Sequence, residues 1–488
     1  MGNKMNLLYT ISTTNESKKE ALYIRKQENK LDFFTYFNSF SLSKWQQYTT
    51  IEQVQLVLHL QGSWRISWQI ADETGLHFLL EESAEKEYRR TIDVNKIKAD
   101  ILGFQLQPLS KSAAFIDGSW YGSFSHWKEN NIGISITTYK REKYVTRNIQ
   151  TLKKYQISAP WLYVQVVDNG STLREEEQNQ FRILHNPNYG GSGGFTRGII
   201  EYIDADQVDY VLLMDDDIVI DITALERTHS LLCGLRESYK DSFLAGAMLR
   251  MEQPTIQHEN TAFWNYIVSK VLYKGLDLGN KDNLDKNGVL PCHVNSYAGW
   301  WYCCIPVHRV KEIGLPIPAF IKSDDIEYGI RNDKELLCMN GIAVWHESFE
   351  KKLSPIMRFF SDRNTFILNH YAKKCGWITL FISILARCFK RIIKGQFSRL
   401  FVLELALKEY EKGFYKLTAI DAESYFSSIL QQIEKSKGLS IIFSLPYEIF
   451  KVMLKYESIH KSYVDFKDNE LRTDYFWKKY LKLGEERK

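Results

Sequence analysis

The stretch Leu212-Leu-Met-Asp-Asp-Asp-Ile-Val-Ile220 places three consecutive carboxylates directly after an apolar run. The run predicts a buried strand, and because side chains alternate along a strand, Asp215 and Asp217 should lie on one side. Three neighbouring acids repel one another and raise one another's pKa values, and a divalent cation relieves that repulsion. Carboxylates suit Mg²⁺ or Mn²⁺. We therefore interpret the triplet as a metal site, with a solvated acidic turn as the alternative.

The triplet lies within a pattern of strands that alternate with helical stretches. Short apolar runs cover 132–136, 161–167, 181–184 and 208–214, and a helical stretch covers 144–155. Such alternation predicts βαβ units and a mainly parallel sheet, whose ligands bind beyond the carboxyl ends of the strands. Polar residues follow those ends at Thr137, Arg141 and Asp168. The sequence therefore predicts an α/β domain with its site at this edge.

The domain organisation follows from changes in pattern along the chain. Residues 1–128 alternate apolar and polar residues and predict a β-sandwich, with a turn at Gln61-Gly62-Ser63 between two strands. Residues 129–354 form the predicted α/β catalytic domain. Residues 355–488 read as helical to the end. Residues 1–128 contain no cluster of His, Cys or carboxylates with catalytic spacing.

Composition excludes several classes of protein. Of the 488 residues, 44% are hydrophobic and 25% charged, which argues against disorder, collagen and coiled coil. No run approaches the roughly 18–20 apolar residues of a membrane span, and residues 1–20 lack a secretory signal. Seven cysteines without a framework spacing suit a reducing compartment. We expect a cytosolic protein.

Two further segments predict ligand contacts. Asn188-Tyr-Gly-Gly-Ser-Gly-Gly-Phe195 has four glycines in five positions, which permits close approach of the backbone to a ligand, or else a flexible loop. It lacks the Lys-Ser/Thr pair of a phosphate-binding P-loop. Asp324-Asp-Ile-Glu327 clusters acids that can supply a general base, although acids also favour a helix N-terminus.

Aromatic residues and a histidine complete the candidate set. Trp300 and Trp301 are adjacent, and since two neighbouring tryptophans are not easily both buried, we expect one near a ligand, stacked on a sugar; the alternative places one in the core and one at a domain junction. His346 ends a short apolar segment after Trp345, where a strand tip would present it. With a carboxylate site already predicted, we interpret His346 as a further metal ligand.

These five elements, in this order, resemble the inverting family-2-type glycosyltransferases of the GT-A fold, and most closely the bacterial galactofuranosyltransferases that polymerise galactan. The resemblance covers roughly residues 130–350 by motif and the flanking domains by architecture alone. It implies a Rossmann-like GT-A catalytic domain between an N-terminal β-sandwich and a C-terminal helical domain. The chain is shorter than the long mycobacterial polymerases, which leaves processivity and bond specificity open.

The resemblance also implies roles for individual residues. Asp215, Asp217 and His346 would hold Mn²⁺ or Mg²⁺ on the diphosphate of a UDP-sugar, and Asp325 would be the general base. The remaining residues would line the substrate sites: Arg141, Asp168, Asn188 and Asp215 on the donor side, and Trp300, Trp301, Asp324 and Glu327 on the acceptor side. One base and no protein nucleophile imply single displacement with inversion. We expect UDP-galactofuranose as donor and a growing surface glycan as acceptor, lipid-linked. Rhamnosyl, glucosyl or galactopyranosyl donors, or a non-catalytic carbohydrate-binding protein, are the alternatives.

Charge is unevenly distributed along the chain. Residues 351–488 carry a net charge of +11 within a total of +4, and 373–399 contain seven basic residues and no acid. Apolar residues recur at helical spacing within 377–385, too few to span a bilayer. An apolar face with flanking cations predicts a helix lying on an anionic membrane surface, or else a helix packed internally. The flanking cations are Lys373, Lys374, Arg387, Lys390, Arg391, Lys394 and Arg399. We therefore expect peripheral binding at the inner face of the plasma membrane and no nucleic-acid partner; a homo-oligomer stays open.

Overall fold

The structure is a computed structural model that describes residues 4–178, 180–288, 293–348, 354–435 and 441–483. The N-terminal domain is β-rich, as predicted. Its elements are β1 (Asn6–Thr10), β2 (Arg25–Gln27), β3 (Lys30–Asp32), α1 (Leu42–Tyr48), β4 (Ile51–Asp72), β5 (Gly75–Asp93), β6 (Ile101–Pro108) and β7 (Ala114–Phe124).

The seven strands of this domain join in one hydrogen-bonded sheet, in the order β1-β7-β4-β6-β3-β2 with β5 also on β4, and not in two separate sheets. The turn predicted at Gln61-Gly62-Ser63 is instead an irregularity inside the 22-residue strand β4. Gly62 has φ +72°, which a glycine adopts readily and which lets the strand continue through a bulge. The first half of β4 pairs with β7 and the second half with β6.

The central domain is the predicted α/β domain. It runs through β8 (Ile132–Thr138), α2 (Glu142–Gln156), β9 (Leu162–Asp168), β10 (Glu176–Gln178), β11 (Phe181–His185), α3 (Gly190–Ala205), β12 (Tyr210–Asp215), β13 (Val219–Ile220), α4 (Ile222–Cys233), β14 (Leu244–Ala245), β15 (Ala247–Arg250), β16 (Gln257–Glu259), β17 (Ala262–Trp264), β18 (Ser269–Val271), α5 (Asp282–Gly288), β19 (Ser296–Tyr297), β20 (Cys303–Pro306), α6 (Val307–Ile313), α7 (Asp324–Asn332) and β21 (Ala343–His346). The four predicted apolar runs become β8, β9, β11 and β12, and the predicted helical stretch becomes α2.

The main sheet of this domain has the order β10-β11-β9-β8-β12-β20-β14. Its four central strands, β11, β9, β8 and β12, are parallel, and β20 joins them antiparallel. A smaller sheet, β13-β21-β15-β16, lies beside it. The alternation of β12 divides the core: Leu212 and Met214 pack into one buried cluster, and Val211 and Leu213 pack into another. A strand covered on both faces must be apolar throughout, which explains its uninterrupted run.

The C-terminal region is helical in its described residues. Its helices are α8 (Pro355–Leu368), α9 (Trp377–Ile393), α10 (Phe397–Tyr410), α11 (Gly413–Leu417), α12 (Ala422–Lys435), α13 (Ile441–Leu454), α14 (Tyr456–Glu470) and α15 (Tyr475–Tyr480). They share a buried cluster with one face of the main sheet. Among the described residues, no helix is both long enough and apolar enough to cross a bilayer.

Buried Arg227 on α4 ties the N-terminal domain to the central one. Its guanidinium donates to the backbone oxygens of Phe37 (2.6 Å) and Gly341 (2.7 Å). The same group lies 3.6 Å from the centre of the Tyr9 ring. Burying a cation costs free energy unless its N–H donors are hydrogen-bonded. The hydrogen bonds of Arg227 to both domains therefore help to hold the two domains together.

Candidate active site

The carboxyl ends of three parallel strands meet at one edge of the main sheet. Asp215 at the end of β12 lies opposite Thr137 of β8, and Thr138 lies opposite Asp168 of β9. The predicted convergence of polar residues at this edge is confirmed. The buried apolar residues set the register of these parallel strands, and that register brings the polar side chains together.

Asp215, Asp217 and His346 form the candidate metal centre. Each offers one oxygen or nitrogen atom, and the three atoms lie within 4.8 Å of one another. His346 Nε2 is 2.9 Å from an Asp217 oxygen and 3.9 Å from an Asp215 oxygen. His346 comes from β21, which pairs with both β13 and β15 in the small sheet. Two carboxylates and one imidazole fit Mn²⁺ or Mg²⁺ in ligand type.

Asp216 makes contacts that differ from those of Asp215 and Asp217. Its carboxylate accepts from the Thr138 hydroxyl (2.7 Å), and its backbone oxygen accepts from the Asn148 side chain (3.0 Å). Asp215 and Asp217 share the His346 side as predicted, but β12 ends at Asp215, so the turn that follows, and not strand alternation, directs Asp217. Asp216 anchors the turn, which leaves Asp215 and Asp217 to face His346.

The electrostatics of this cluster follow from burial and from charge. Burial raises the pKa of Asp215 to about 6, with His346 opposing the shift. Burial lowers the pKa of His346, but the carboxylates of Asp217 and Asp215 outweigh that effect and raise it above its usual value. A nearby cation would stabilise the charged forms of these acids and lower their pKa values.

Arg141 lies against the acidic triplet. Its guanidinium donates to Asp216 at 3.3 Å and also to Asp217, while its side chain keeps 42% of its exposure. Since the group is half exposed, it presents a positive charge to solvent beside the carboxylates. An anionic ligand bound at the triplet would meet this charge.

Asp168 and Asn188, the other predicted donor-site residues, shape the backbone here. The buried Asp168 carboxylate accepts from the amides of Gly170 (2.9 Å), Thr172 (2.7 Å) and Leu173 (2.7 Å). Asn188 accepts from the Gly190 amide at 3.2 Å. Both residues therefore lie at the predicted edge. Their side-chain oxygens accept hydrogen bonds from backbone amides and so hold the loops after β9 and β11.

The glycine-rich segment begins helix α3 and is not a loop. A Cβ on Gly190, which has φ +69°, would lie 2.0 Å from the Phe320 backbone oxygen, and one on Gly194 would lie 2.2 Å from the Thr137 side chain. The glycines therefore let α3 approach β8 and the loop before α7. At Gly191 the nearest neighbour is the Asp324 carboxylate at 3.9 Å, so the helix start faces the acids of α7.

Trp300 and Trp301 are both buried, so the premise that two neighbouring tryptophans are not easily both buried does not hold here. The two residues lie in the turn before β20, and each side chain reaches a different core cluster. Trp300 packs edge-on against Phe195 (5.2 Å between ring centres), and Trp301 donates its indole N–H to the Gly246 backbone oxygen (3.0 Å). Trp300 thus supports α3 from the core through Phe195.

Helix α7 begins at the predicted acidic cluster. Burial raises the pKa values of both Asp324 and Asp325 above the usual aspartate range. One Asp325 oxygen accepts from the Ile326 amide at 2.8 Å. Helix α3 packs on Thr137, opposite Asp215, and also approaches Asp324, so α7 begins near the candidate metal centre, and the charge of Asp325 adds to the raised pKa of Asp215. A carboxylate with a raised pKa accepts a proton more readily, as a general base requires.

The structure does not bring Glu327 to the site. Its side chain is fully buried, and Arg331 donates to both of its carboxylate oxygens, one of them at 2.8 Å. Arg331 also donates to the Leu315 backbone oxygen at 2.7 Å. Because one helical turn separates the two charges, they pair within α7 and anchor it, so the predicted sugar contact is wrong.

Two charged residues of the site were missed by the sequence analysis. Lys322 lies close enough to Asp215, Asp324 and Asp325 to lower the pKa of each. Glu259 is buried on β16, and burial raises its pKa to about 8, with Asp325 adding to the shift. The sequence did offer a signal for Lys322, because this residue lies two positions before the acidic cluster that begins at Asp324. The three-residue strand that carries Glu259 has no such pattern.

Comparisons with known proteins match most of this chain. A model described as Galactofuranosyltransferase 2 N-terminal matches residues 3–123, and Glycosyltransferase like family 2 matches residues 130–350. The chain is 24% identical over 427 residues to galactofuranosyltransferase GlfT2 of Mycobacterium tuberculosis, which covers 79% of this chain and 66% of that protein. The corresponding enzyme of Mycolicibacterium smegmatis is 23% identical over 430 residues, covering 80% of this chain and 66% of that protein. The chain thus spans 66% of the length of these relatives.

Among solved structures, a mannosyltransferase from Pyrobaculum calidifontis in complex with GDP-Man and Mn²⁺ matches at 9% identity. That match covers 69% of this chain and 86% of the other, with a TM-score of 0.32. The family matches confirm the resemblance to galactofuranosyltransferases. The central domain of this chain is a glycosyltransferase domain of the family-2 type.

Proposed function

Because the chain joins a family-2 glycosyltransferase domain to an N-terminal domain of galactofuranosyltransferase type, we propose that it is a metal-dependent, inverting galactofuranosyltransferase. The donor would be UDP-galactofuranose and the acceptor a growing cell-surface glycan. One arrangement carries the proposal: the candidate metal centre lies at the carboxyl edge of the sheet, and helix α3, which packs on Thr137 at that edge, also approaches Asp324 at the start of α7.

The donor side follows from the triplet and its neighbours. Asp215, Asp217 and His346 would hold Mn²⁺ or Mg²⁺, which when bound supplies Lewis-acid stabilisation of the departing diphosphate. Arg141 places a half-exposed guanidinium beside that site, where it would bind diphosphate oxygens. The loops held by Asp168 and Asn188 would form the wall for the nucleoside and sugar.

The acceptor side follows from α7. An acceptor hydroxyl becomes a good nucleophile when a carboxylate takes its proton, and Asp325 would be that base. Asp324, next to the start of α3, would orient the sugars. Attack by the hydroxyl on the anomeric carbon, opposite the leaving diphosphate, inverts that carbon in a single displacement. Trp300 and Trp301 would support the acceptor pocket from the core.

We propose that the acceptor is lipid-linked and that the enzyme works at the cytoplasmic face of the plasma membrane as a peripheral protein. The helical region carries an exposed apolar surface with cations around it, which suits that location. An enzyme that extends a lipid-linked glycan gains from docking where its substrate is anchored.

A donor screen tests the proposal. Purified protein, Mn²⁺ and an oligogalactofuranoside acceptor are incubated with UDP-galactofuranose or with a rhamnosyl, glucosyl or galactopyranosyl donor, and the products are detected by mass. We expect extension and UDP release with UDP-galactofuranose alone. Extension with another donor would show that the enzyme uses that donor sugar. Absence of UDP release with every donor would support the non-catalytic alternative. Asp333→Asn, outside the site, serves as the active control.

A further inference from the structure

Three metal-ligating side chains meet at the edge of the main sheet opposite the candidate active site. Glu129 lies in the segment between β7 and β8, whereas His229 and Cys233 lie one turn apart on α4. Each side chain offers one ligand atom, and the three atoms lie within 4.8 Å of one another. Glu129 precedes β8, and Trp161, which stacks on the His229 ring, precedes β9. The cluster therefore lies at the amino ends of the parallel strands, apart from the candidate metal centre at their carboxyl ends.

The distances within the cluster are close to those of a tetrahedral zinc site. Zn²⁺ binds sulfur at about 2.3 Å and nitrogen or oxygen at about 2.0–2.2 Å, so tetrahedral angles separate sulfur from either atom by about 3.6 Å and nitrogen from oxygen by about 3.4 Å. Cys233 Sγ lies 3.4 Å from His229 Nε2 and 4.0 Å from Glu129 Oε2, which is also 4.0 Å from that nitrogen. The Glu129 side chain is 69% exposed, so a shift of about 0.5 Å would complete the geometry.

Neighbouring groups orient the ligand atoms. Trp127 donates its indole N–H to Glu129 Oε1 at 2.8 Å, which leaves Oε2 on the side of His229 and Cys233. Trp161 lies parallel to the His229 ring, with 3.9 Å between the ring centres. The Asn130 backbone oxygen, 3.1 Å from His229 Nε2, supplies a further oxygen atom for a fourth position. Metal sites commonly hold their ligands through such outer contacts.

The protonation of the two α4 residues agrees with this ligand set. Burial lowers the pKa of His229 to about 4, so the imidazole is neutral near pH 7 and can bind an ion through Nε2 when its proton lies on Nδ1. Burial raises the pKa of the Cys233 thiol to about 12, which makes the thiol unreactive by itself. A bound Zn²⁺ would release that proton to water, because a coordinating thiol is deprotonated.

An open cavity gives an ion access to the cluster. The cavity has a volume of about 410 Å³, and both Cys233 and Asn130 line it. Its three lysines would repel a cation, but each pairs with an acid, which lessens the repulsion. The pairs are Lys128 with Asp209, Lys240 with Glu237 and Lys311 with Asp206.

We propose that Glu129, His229 and Cys233 form a structural Zn²⁺ site that fastens the interdomain segment to α4. Thiolate and imidazole ligands together favour Zn²⁺ over the Mg²⁺ or Mn²⁺ expected at the carboxylate centre. The two sides of the site already touch, since the Lys128 amide donates to the Cys233 backbone oxygen at 2.9 Å. On the same helix the Ser230 hydroxyl donates to the Leu8 backbone oxygen at 2.9 Å, so an ion here would strengthen a junction that the N-terminal domain shares. The site does not depend on the proposed transferase reaction.

Cobalt substitution tests the ligands in the full chain. Co²⁺ bound to a thiolate gives a sulfur-to-metal charge-transfer absorption, which oxygen and nitrogen ligands do not give. Asp217→Ala serves as the background because it removes the carboxylate centre. In this background Co²⁺ should produce the absorption at one ion per chain, and Zn²⁺, which binds such ligands more tightly, should displace it.

Variants in the same background identify the ligands. Cys233→Ser should abolish the absorption and lower Zn²⁺ affinity by at least about 100-fold, because loss of even an outer partner costs about 10–100-fold. Cys375→Ser, the same change at a cysteine outside the cluster, should preserve both. Glu129→Gln alters an exposed side chain and should therefore leave the fold intact, but it should weaken Zn²⁺ binding by at least about 10-fold.

Unfolding in urea tests the structural role. Saturating Zn²⁺ should raise the urea midpoint, because an ion that binds the folded chain stabilises it. This increase should vanish in His229→Gln and persist in His308→Gln, an exposed histidine on α6 that lines the same cavity.

Four outcomes would overturn the proposal: no charge-transfer absorption in the background chain, an absorption that survives Cys233→Ser, unchanged Zn²⁺ affinity in Glu129→Gln, or a urea midpoint that Zn²⁺ does not move. Each would leave the cluster as packing between α4 and the interdomain segment. UDP release by the unmodified protein with Mn²⁺ reports the proposed transferase reaction separately. Failure of one proposal is thus distinguishable from failure of the other.

Discussion

Asp325→Asn is the most informative test of the proposed chemistry. Asparagine keeps the size of the side chain and the oxygen that accepts from the Ile326 amide, so the start of α7 should persist. What the variant loses is the ability to take a proton. A general base contributes about 10²–10⁴ in rate, so we expect kcat to fall by that factor, a rise of about 2.7–5.5 kcal/mol in the barrier.

The assay measures initial rates of UDP release at saturating donor and acceptor, with UDP affinity from calorimetry. UDP affinity should change little, because Asp325 acts on the acceptor and not on the diphosphate. Asp333→Asn at the other end of α7 loses only an exposed ion pair with Lys373, typically worth about 0–1 kcal/mol, and should keep full kcat. Normal turnover in Asp325→Asn together with an inactive Asp324→Asn would refute the choice of base.

Three further predictions test the metal centre, the acids of α7 and the domain junction. Asp217→Ala should abolish turnover and metal-dependent UDP binding while the melting transition persists; full activity in EDTA would contradict this. Because burial raises the pKa values of the α7 carboxyls and the base must be ionised, kcat should fall as pH falls, on a limb above the ordinary aspartate pKa of 3.8; a pH profile that stays flat down to that value would contradict it. Arg227→Met leaves the buried oxygens of Phe37 and Gly341 without a donor, at about 1–3 kcal/mol each, and should lower the urea midpoint; an unchanged midpoint would mean that the junction does not need this residue.

The chain by itself determined the local features of this protein. The apolar run ended by acids is sufficient to predict a buried strand that brings Asp215 to the sheet edge, because this pattern lies in a few consecutive residues, whereas the direction of Asp217 depends on the turn after β12. The change from β-rich to α/β to helical pattern likewise predicted the order of the domains. The resemblance to galactofuranosyltransferases rested on short motifs that survive in sequence, and the family matches confirm it.

Only the tertiary structure decided which distant residues meet. His346 reaches Asp217 because β21 pairs with β13, and no local pattern specifies that pairing. Glu327 has the same local appearance as Asp325, but a helix turns successive residues about its axis, so Glu327 faces Arg331 in the core and Asp325 points in another direction. The glycines of α3 predicted close approach to a ligand or a flexible loop; that they begin a helix packed on β8 and on the loop before α7 depends on residues distant in the chain. Burial and long-range contact set these outcomes, and both depend on the whole chain.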